Sequence, residues 1–350
     1  MATAVLEKAS SLQRYVWSAP ALAALLYPLA LAALFRSATL VHERAVGAGG
    51  LAFLLSLALC LAVPAVALRV ACRLGHAPAA SVGEIRARRL AHLAVASPPL
   101  FTLIGVVLYL LHAPANSDDL LWALIWLGVL VAIALGRADV RPARPTRAAI
   151  APWLVELHGL TALALLLFLL PHIANHVTGI WSAATHVHVM KALRRVYRNP
   201  VVEPLLVAVV LFQIGSGVVL LWRRTARASD LFGTLQTAAG AYLAVFLSSH
   251  LTAVFVLGRA VMKVDTDFSF ASGAPAGLLL DSWNVRLVLH YFLAVCCLFV
   301  HVGSGARAVM LPRYPIATAN RTAWSVIGLG ALAAAVAIVG LAGFHLAPAA

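Results

Sequence analysis

Acidic side chains are nearly missing from this chain: Asp and Glu together number 12 in 350 residues, and charged residues of both signs make up only 11%. A soluble globular domain carries about 25% charged residues, so this chain cannot cover a water-facing surface of its size. Cysteine is sparse as well. Cys60, Cys72, Cys296 and Cys297 show no C-x-x-C spacing; they read as small apolar residues and are silent about redox compartment. No Ser-His-Asp set, phosphate-cradling loop or pair of catalytic carboxylates is found. A flavin or nicotinamide fingerprint is lacking too, so any dehydrogenase activity would have to come from another chain. The alternating polar and apolar residues of a membrane barrel are also missing.

What the chain has instead is hydrophobic length. Apolar residues make up 63%, with a mean hydropathy of +0.95. In lipid only helices and closed barrels satisfy the backbone, and continuous apolar runs of about 20 residues are helices. The expected fold is an all-α polytopic transmembrane bundle of about nine spans, near 20–35, 47–68, 90–112, 120–136, 153–176, 201–222, 238–258, 285–306 and 323–346. The first span follows Lys8 and Arg14 without a convincing small-residue cleavage site, so it is expected to be retained. The segment "ASPPLF", 96–101, should kink the third span. The Pro- and Arg-rich stretch 136–152 divides four spans from five. This gives a membrane region of unknown role at 1–150 and a second domain at 151–350.

The formal charge of +14 does not point to nucleic acid, because no soluble basic domain exists to carry such binding. Lys and Arg concentrate in alternate loops: Lys8 and Arg14; Arg69, Arg73, Arg86, Arg88 and Arg89; Arg137, Arg141, Arg144 and Arg147; Arg223, Arg224 and Arg227; Arg307, Arg313 and Arg321. The loop at Asp118 and Asp119 has neither. By the positive-inside rule the N-terminus is inside and the C-terminus outside, in a bacterial inner membrane. One outer loop breaks the pattern, with Lys191, Arg194, Arg195 and Arg198. It reads as an interfacial amphipathic helix or as a basic patch for propionates or an anionic partner.

Ionisable side chains inside spans are costly and mark functional sites. The first half has only His92 and His112 near span ends, whereas the second half gathers His158, His172, His176, His250, His290 and His301. His172 and His250 lie late in the fifth and seventh spans, which run the same way, so they sit at matched depth toward the outer face. His158 and His172 are 14 residues apart, close to one helical face and roughly 21 Å apart along it; one iron cannot use both. His301, late in the antiparallel eighth span, falls toward the inner side. A b-type heme between helices needs two facing neutral imidazoles and small residues that let the porphyrin approach. The segments "LQTAAGAYLAVFLSSH", "QIGSG" and "HVGSG" supply such residues. For any one glycine the alternative is ordinary small-residue packing. His158 and His290 read as interfacial residues. Glu156, Glu203 and Asp281 lie at span edges, where a carboxylate could exchange protons with a quinone.

Residues 153–346 resemble the five-helix, heme b-carrying membrane anchor of succinate dehydrogenases and fumarate reductases, of the single-polypeptide type. "LHGL…FLLPHIANH" is similar to its first helix, "VVEPLLVAVVLFQIGSGVVLLWR" to its second, "LQTAAGAYLAVFLSSH" to a ligand-bearing helix, and "FVHVGSG" to the last one. The resemblance implies heme b as cofactor, with His172 and His250 as the iron ligands of the outer heme and His301 as a ligand of an inner one. Where the inner partner of His301 would stand, this chain has Gln213, so one heme per chain is expected, two being the family's number. Quinone as substrate, and flavoprotein and iron–sulfur subunits as partners, are implied in the same way. A competing reading is a non-heme metal enzyme at the outer face, built on the H-x-x-x-H pair His172 and His176 and the H-x-H pair His186 and His188. A third is a scaffold or transporter that has kept the fold without the cofactor.

Overall fold

In the computed structural model, residues 2–43, 46–76, 81–135 and 151–347 are described, with side chains from Gln13 onward. The Lys8 side chain and Arg137, Arg141, Arg144 and Arg147 fall outside the described residues, as does nearly all of the expected linker 136–152. Helices account for the described secondary structure, and none of the described residues forms a strand. Among the described residues, eight helices are long and apolar enough to cross a membrane, nine if one bent pair counts as a span. The protein is therefore an integral membrane helix bundle. Its contacts divide it into two compact units: Met1–Ala149 with Leu221–Tyr242, and Ile150–Leu220 with Leu243–Ala350.

The first unit holds α1 (Ala2–Leu25), α2 (Tyr27–His42), α3 (Val46–Gly75), α4 (Val82–Val95), α5 (Ser97–Leu110) and α6 (Ser117–Leu135). α1 and α2 form one apolar span, Gln13–His42. Pro28 occupies the first turn of α2, where the missing N–H costs nothing. Across the α2–α3 contact the Ser37 and Ser56 hydroxyls meet at 2.9 Å, close to the backbones and shielded from lipid. α4 starts on a capping box, with the Ser81 hydroxyl accepting from Glu84 N at 3.2 Å and Ser81 N donating back to Glu84 at 2.9 Å. Pro98 and Pro99 then break the ladder, and α4 and α5 meet at 69°. The expected kink is a sharp bend, because two consecutive residues lack the N–H that would continue α4. Tyr27, Phe101, Trp122 and Trp126 fill the core edge to face, and the Trp122 indole donates to the Ala24 carbonyl at 2.7 Å. His92 is a packing residue, its Nδ1 donating to the Arg88 carbonyl at 2.7 Å.

The second unit is built on α7 (Pro152–Thr178), α8 (Ala183–Tyr197), α9 (Val202–Arg224), α10 (Leu231–Leu251), α11 (Phe268–Ser272), α12 (Arg286–Met310) and α13 (Ile316–Leu341), apart from the adjoining ends of α9 and α10. The basic loop folds as α8, with one buried and one exposed face. Ser182 caps it by accepting from Thr185 N at 3.0 Å, and it buries His186 and Met190 while Lys191 and Arg195 stay exposed. α10 continues without a break into a π-helix, Thr252–Met262, so its turn widens just after His250. α13 packs closely on α12 and α7, and α8 packs on α7. Gly330 and Gly340 leave no room for a Cβ, against Phe299 of α12 and against Gly179 and Ile180 after α7. The backbones of α7 and α10, and of α7 and α12, do not pack closely along their lengths. Directly packed helices lie 8–10 Å apart; here side chains reach across instead.

Candidate functional site

Two histidine pairs bridge the helices that stand apart. His172 of α7 faces His250 of α10 with ring centroids 6.3 Å apart and planes at 71°. Nearer the other end of α7, His158 faces His301 of α12 at 6.4 Å and 74°. α7 therefore supplies one imidazole to each level, and the 14-residue spacing sets the levels roughly 21 Å apart. His172 and His250 thus meet at a common depth, as their parallel helices require. His158, which the sequence presents as an interfacial residue, is the partner of His301.

The residues around each pair hold the rings. Phe168 stacks on His172 at 5.1 Å and 25°, and Phe246 stacks on His250 at 5.5 Å and 17°. Each phenyl lies four residues before its imidazole, which is where a helix puts a neighbour on the same face. At the other level His158 Nδ1 lies 2.8 Å from Ser216 Oγ. The Ser216 hydroxyl donates its only proton to the Phe212 carbonyl at 2.6 Å, so it accepts from His158. His158 is accordingly the Nδ1–H tautomer, with its lone pair on Nε2. Gln213 occupies no ligand position. Its amide donates to the His158 carbonyl at 2.8 Å and to Thr161 Oγ1 at 2.5 Å, clamping α9 to α7 beside the pair.

A polar cluster adjoins the His172 level. His176 lies edge-on to His172 at 4.9 Å between centroids. The Asn175 amide donates to His186 Nε2 at 3.1 Å, and His176 Nδ1 lies 3.3 Å from the same nitrogen. With Nε2 accepting, the His186 proton sits on Nδ1. That atom and Asn175 Oδ1 are buried without a hydrogen-bond partner among the described residues, a costly state in an apolar surround. His186 and Asn175 are 2% and 4% exposed. Burial pushes the His186 ring down to about 4; the nearby Asp267 carboxylate opposes that shift and Arg194 adds to it. Phe268 covers His186 at 5.0 Å and His345 lies 5.9 Å beyond. His290, early in α12, packs on Phe246 at 4.6 Å, so it borders the same level.

Several sequence candidates have structural roles here. His186 and His188, two residues apart on α8, point to different faces, one buried and the other exposed. No group of three or more His, Cys, Asp or Glu able to hold a metal ion occurs among the described residues, which leaves the expected H-x-x-x-H and H-x-H constellation without a ligand set of that kind. Glu203 forms a two-pronged pair with Arg259 at 2.6 and 3.2 Å, and Asp281 accepts from Trp283 N and Asn284 N at 2.9 and 2.7 Å. In the basic loop, Arg194 pairs with Asp265 at 2.6 Å and donates to the Thr266 carbonyl at 2.9 Å, and Arg198 donates to Thr266 Oγ1 at 2.8 Å. Two of its four cations thus fasten α8 to the turn after the π-helix.

Comparison with protein-family models, with curated proteins and with solved structures finds no match for this chain.

Proposed function

We propose that His172 and His250 hold the iron of a b-type heme, and that the protein is a membrane electron-transfer subunit resembling the succinate dehydrogenase and fumarate reductase anchor. The observation that carries this reading is the 6.3 Å between the two ring centroids. Metal–imidazole bonds of about 2 Å on either side of one ion put the two centroids roughly 6 Å apart. The donor set also fits, being two neutral imidazoles from separate helices that are not closely packed together. When bound, heme supplies reversible one-electron chemistry. The chain supplies the two ligands, rings braced by Phe168 and Phe246, and helices that keep water out.

Electrons would pass between a quinone pool and a partner. The cluster of Asn175, His176 and His186 supports the quinone side. It sets a buried donor and a buried acceptor without partners among the described residues next to His172, suited to the oxygens of a quinone or quinol. Since the chain carries no flavin or nicotinamide fingerprint, flavoprotein and iron–sulfur subunits are the partner class. In this reading the protein lies in a bacterial inner membrane with its N-terminus inside, its C-terminus outside and the His172 level outermost.

Purified protein made with ample heme should give the reduced-minus-oxidised bands of low-spin b heme. His172→Ala and His250→Ala should each remove the spectral component assigned to this pair. A spectrum without such bands, or one unchanged in both variants, overturns the assignment.

A further inference from the structure

We propose that residues 345–347, which follow α13, are a latch that holds Phe268 over the cluster of Asn175, His176 and His186, so that a ligand enters the cluster only when the latch lifts. The inference rests on reading that cluster as a ligand site and adds how entry to it is controlled.

The latch starts where α13 ends. Gly343, at φ +93°, closes the helix in a Schellman motif, with Phe344 N donating to the Val339 carbonyl at 3.2 Å and Gly343 N to that of Gly340 at 3.1 Å. The chain then lies along the turn between α7 and α8. His345 Nδ1 donates to the Gly179 carbonyl at 2.8 Å, Leu346 N to that of Ile180 at 2.8 Å, and Ala347 N to that of Trp181 at 3.0 Å. Three successive residues are thus tied to three successive carbonyls.

Phe268 is what the latch holds. Its ring sits 5.0 Å from the ring of His186 on one side and 5.9 Å from that of His345 on another. It also rests against Gly179, where a Cβ would stand 3.1 Å from it. α11, which carries Phe268, has only five residues, too few to keep a helix in place unaided.

Two features make this a latch and not a permanent wall. The fastening is slight: three hydrogen bonds and one ring contact hold a segment in which His345 and Leu346 remain exposed, with Phe344 exposed before them. Segments with so little burial open far more readily than the helices around them. Behind Phe268, His186 Nδ1 and Asn175 Oδ1 are buried without hydrogen-bond partners among the described residues. Permanent closure would carry that penalty with no return, whereas a ligand admitted to the cluster removes it.

Histidine labelling of the purified full-length protein by diethyl pyrocarbonate, read by mass spectrometry, tests the latch independently of heme. His188, exposed on the same helix, is the internal standard, and the buried His290 reports general loosening. His186 should react more slowly than His188 in the unaltered protein. Shortening the chain to end at Gly343 should speed His186 roughly 10-fold or more, as loss of three hydrogen bonds implies, with His188 and His290 unchanged. His345→Ala, which keeps the backbone bonds, should speed it less, and it decides the matter if His290 also reacts in the shortened chain. An unchanged His186 rate in His345→Ala together with an unchanged or merely global change in the shortened chain overturns the latch. Protection of His186 by a short-chain ubiquinone tests the ligand reading separately. Faster labelling without protection leaves the latch and overturns the quinone assignment; protection without faster labelling does the reverse.

Discussion

Phe168 lies against the imidazole of His172, four residues further along α7, with centroids 5.1 Å apart and planes only 25° from parallel. The same step separates Phe246 from His250 on α10. Two different helices use one device to hold a ring: a flat neighbour one turn away that limits rotation about the imidazole's own side-chain bonds. Phe168 is further fixed by Tyr197 of α8, edge-on at 5.4 Å.

Truncating either phenyl should therefore loosen a ligand without removing it. An aromatic pair contributes about 0.5–1.5 kcal/mol beyond its buried area, so Phe168→Ala or Phe246→Ala is expected to weaken heme retention roughly 2- to 10-fold. The low-spin spectrum should persist. Heme transfer to an apo-acceptor protein measures the retention; unchanged retention in both variants would show that the stacking does not hold the rings.

His186 makes a prediction about pH. Its folded-state value, near 4, lies below the usual 6.5 because the ring is buried, with Arg194 adding to the shift and Asp267 opposing it. Below pH 6.5 the unfolded chain takes up this proton and the folded one does not, so stability rises with pH through that window. The contribution is fully present above about pH 6.5 and is lost as pH falls toward 4. His176 and Asn175 also face the ring, and a charged imidazole could no longer accept from the Asn175 amide. The apparent melting temperature in detergent should fall between pH 6.5 and 4, and His186→Gln should flatten the slope by one proton's share. An equal slope in the variant would exclude His186 as its source.

The helix content, the spans and the depth match of His172 with His250 are legible in the sequence because each depends on hydrophobic length and on counting helices. The α4–α5 break is legible because Pro98 and Pro99 cannot donate to a helix ladder. The partner of His301 is not, since it depends on lateral packing, on which face of α7 turns toward α12, and no periodicity within α7 fixes that. Gln213 misleads for a related reason: a ligand position matched along one helix says nothing about whether the side chain points at the neighbouring backbone. A signal was nevertheless present in the 14-residue spacing of His158 and His172, which puts both near one face of α7. Its meaning appears only when α12, carrying His301, lies across from it.

The bent pair α4–α5 decides which way the second half of the chain faces. Each limb has 14 residues, about 21 Å at 1.5 Å per residue, against a hydrocarbon core of about 30 Å. Neither limb crosses alone, so the two together either cross or turn back. If they turned back, Arg86 and Arg89 at the start of α4 would share a side with Asp118 and Asp119 at the start of α6. The positive-inside rule favours separating a loop that holds Lys and Arg from one that holds none. The pair is therefore expected to cross, giving nine spans and termini on opposite sides. Reporter fusions at the N-terminus, in the 113–116 turn and at the C-terminus should read inside, outside and outside. An N-terminus and a C-terminus on the same side, with the 113–116 turn inside, would make α4–α5 re-entrant. The His172–His250 and His158–His301 pairs would survive that result, because α7, α9, α10 and α12 all follow the bend and keep their relative directions. What would reverse is the side that the pairs face: the His172 level, with the Asn175, His176 and His186 cluster, would open toward the inside of the cell.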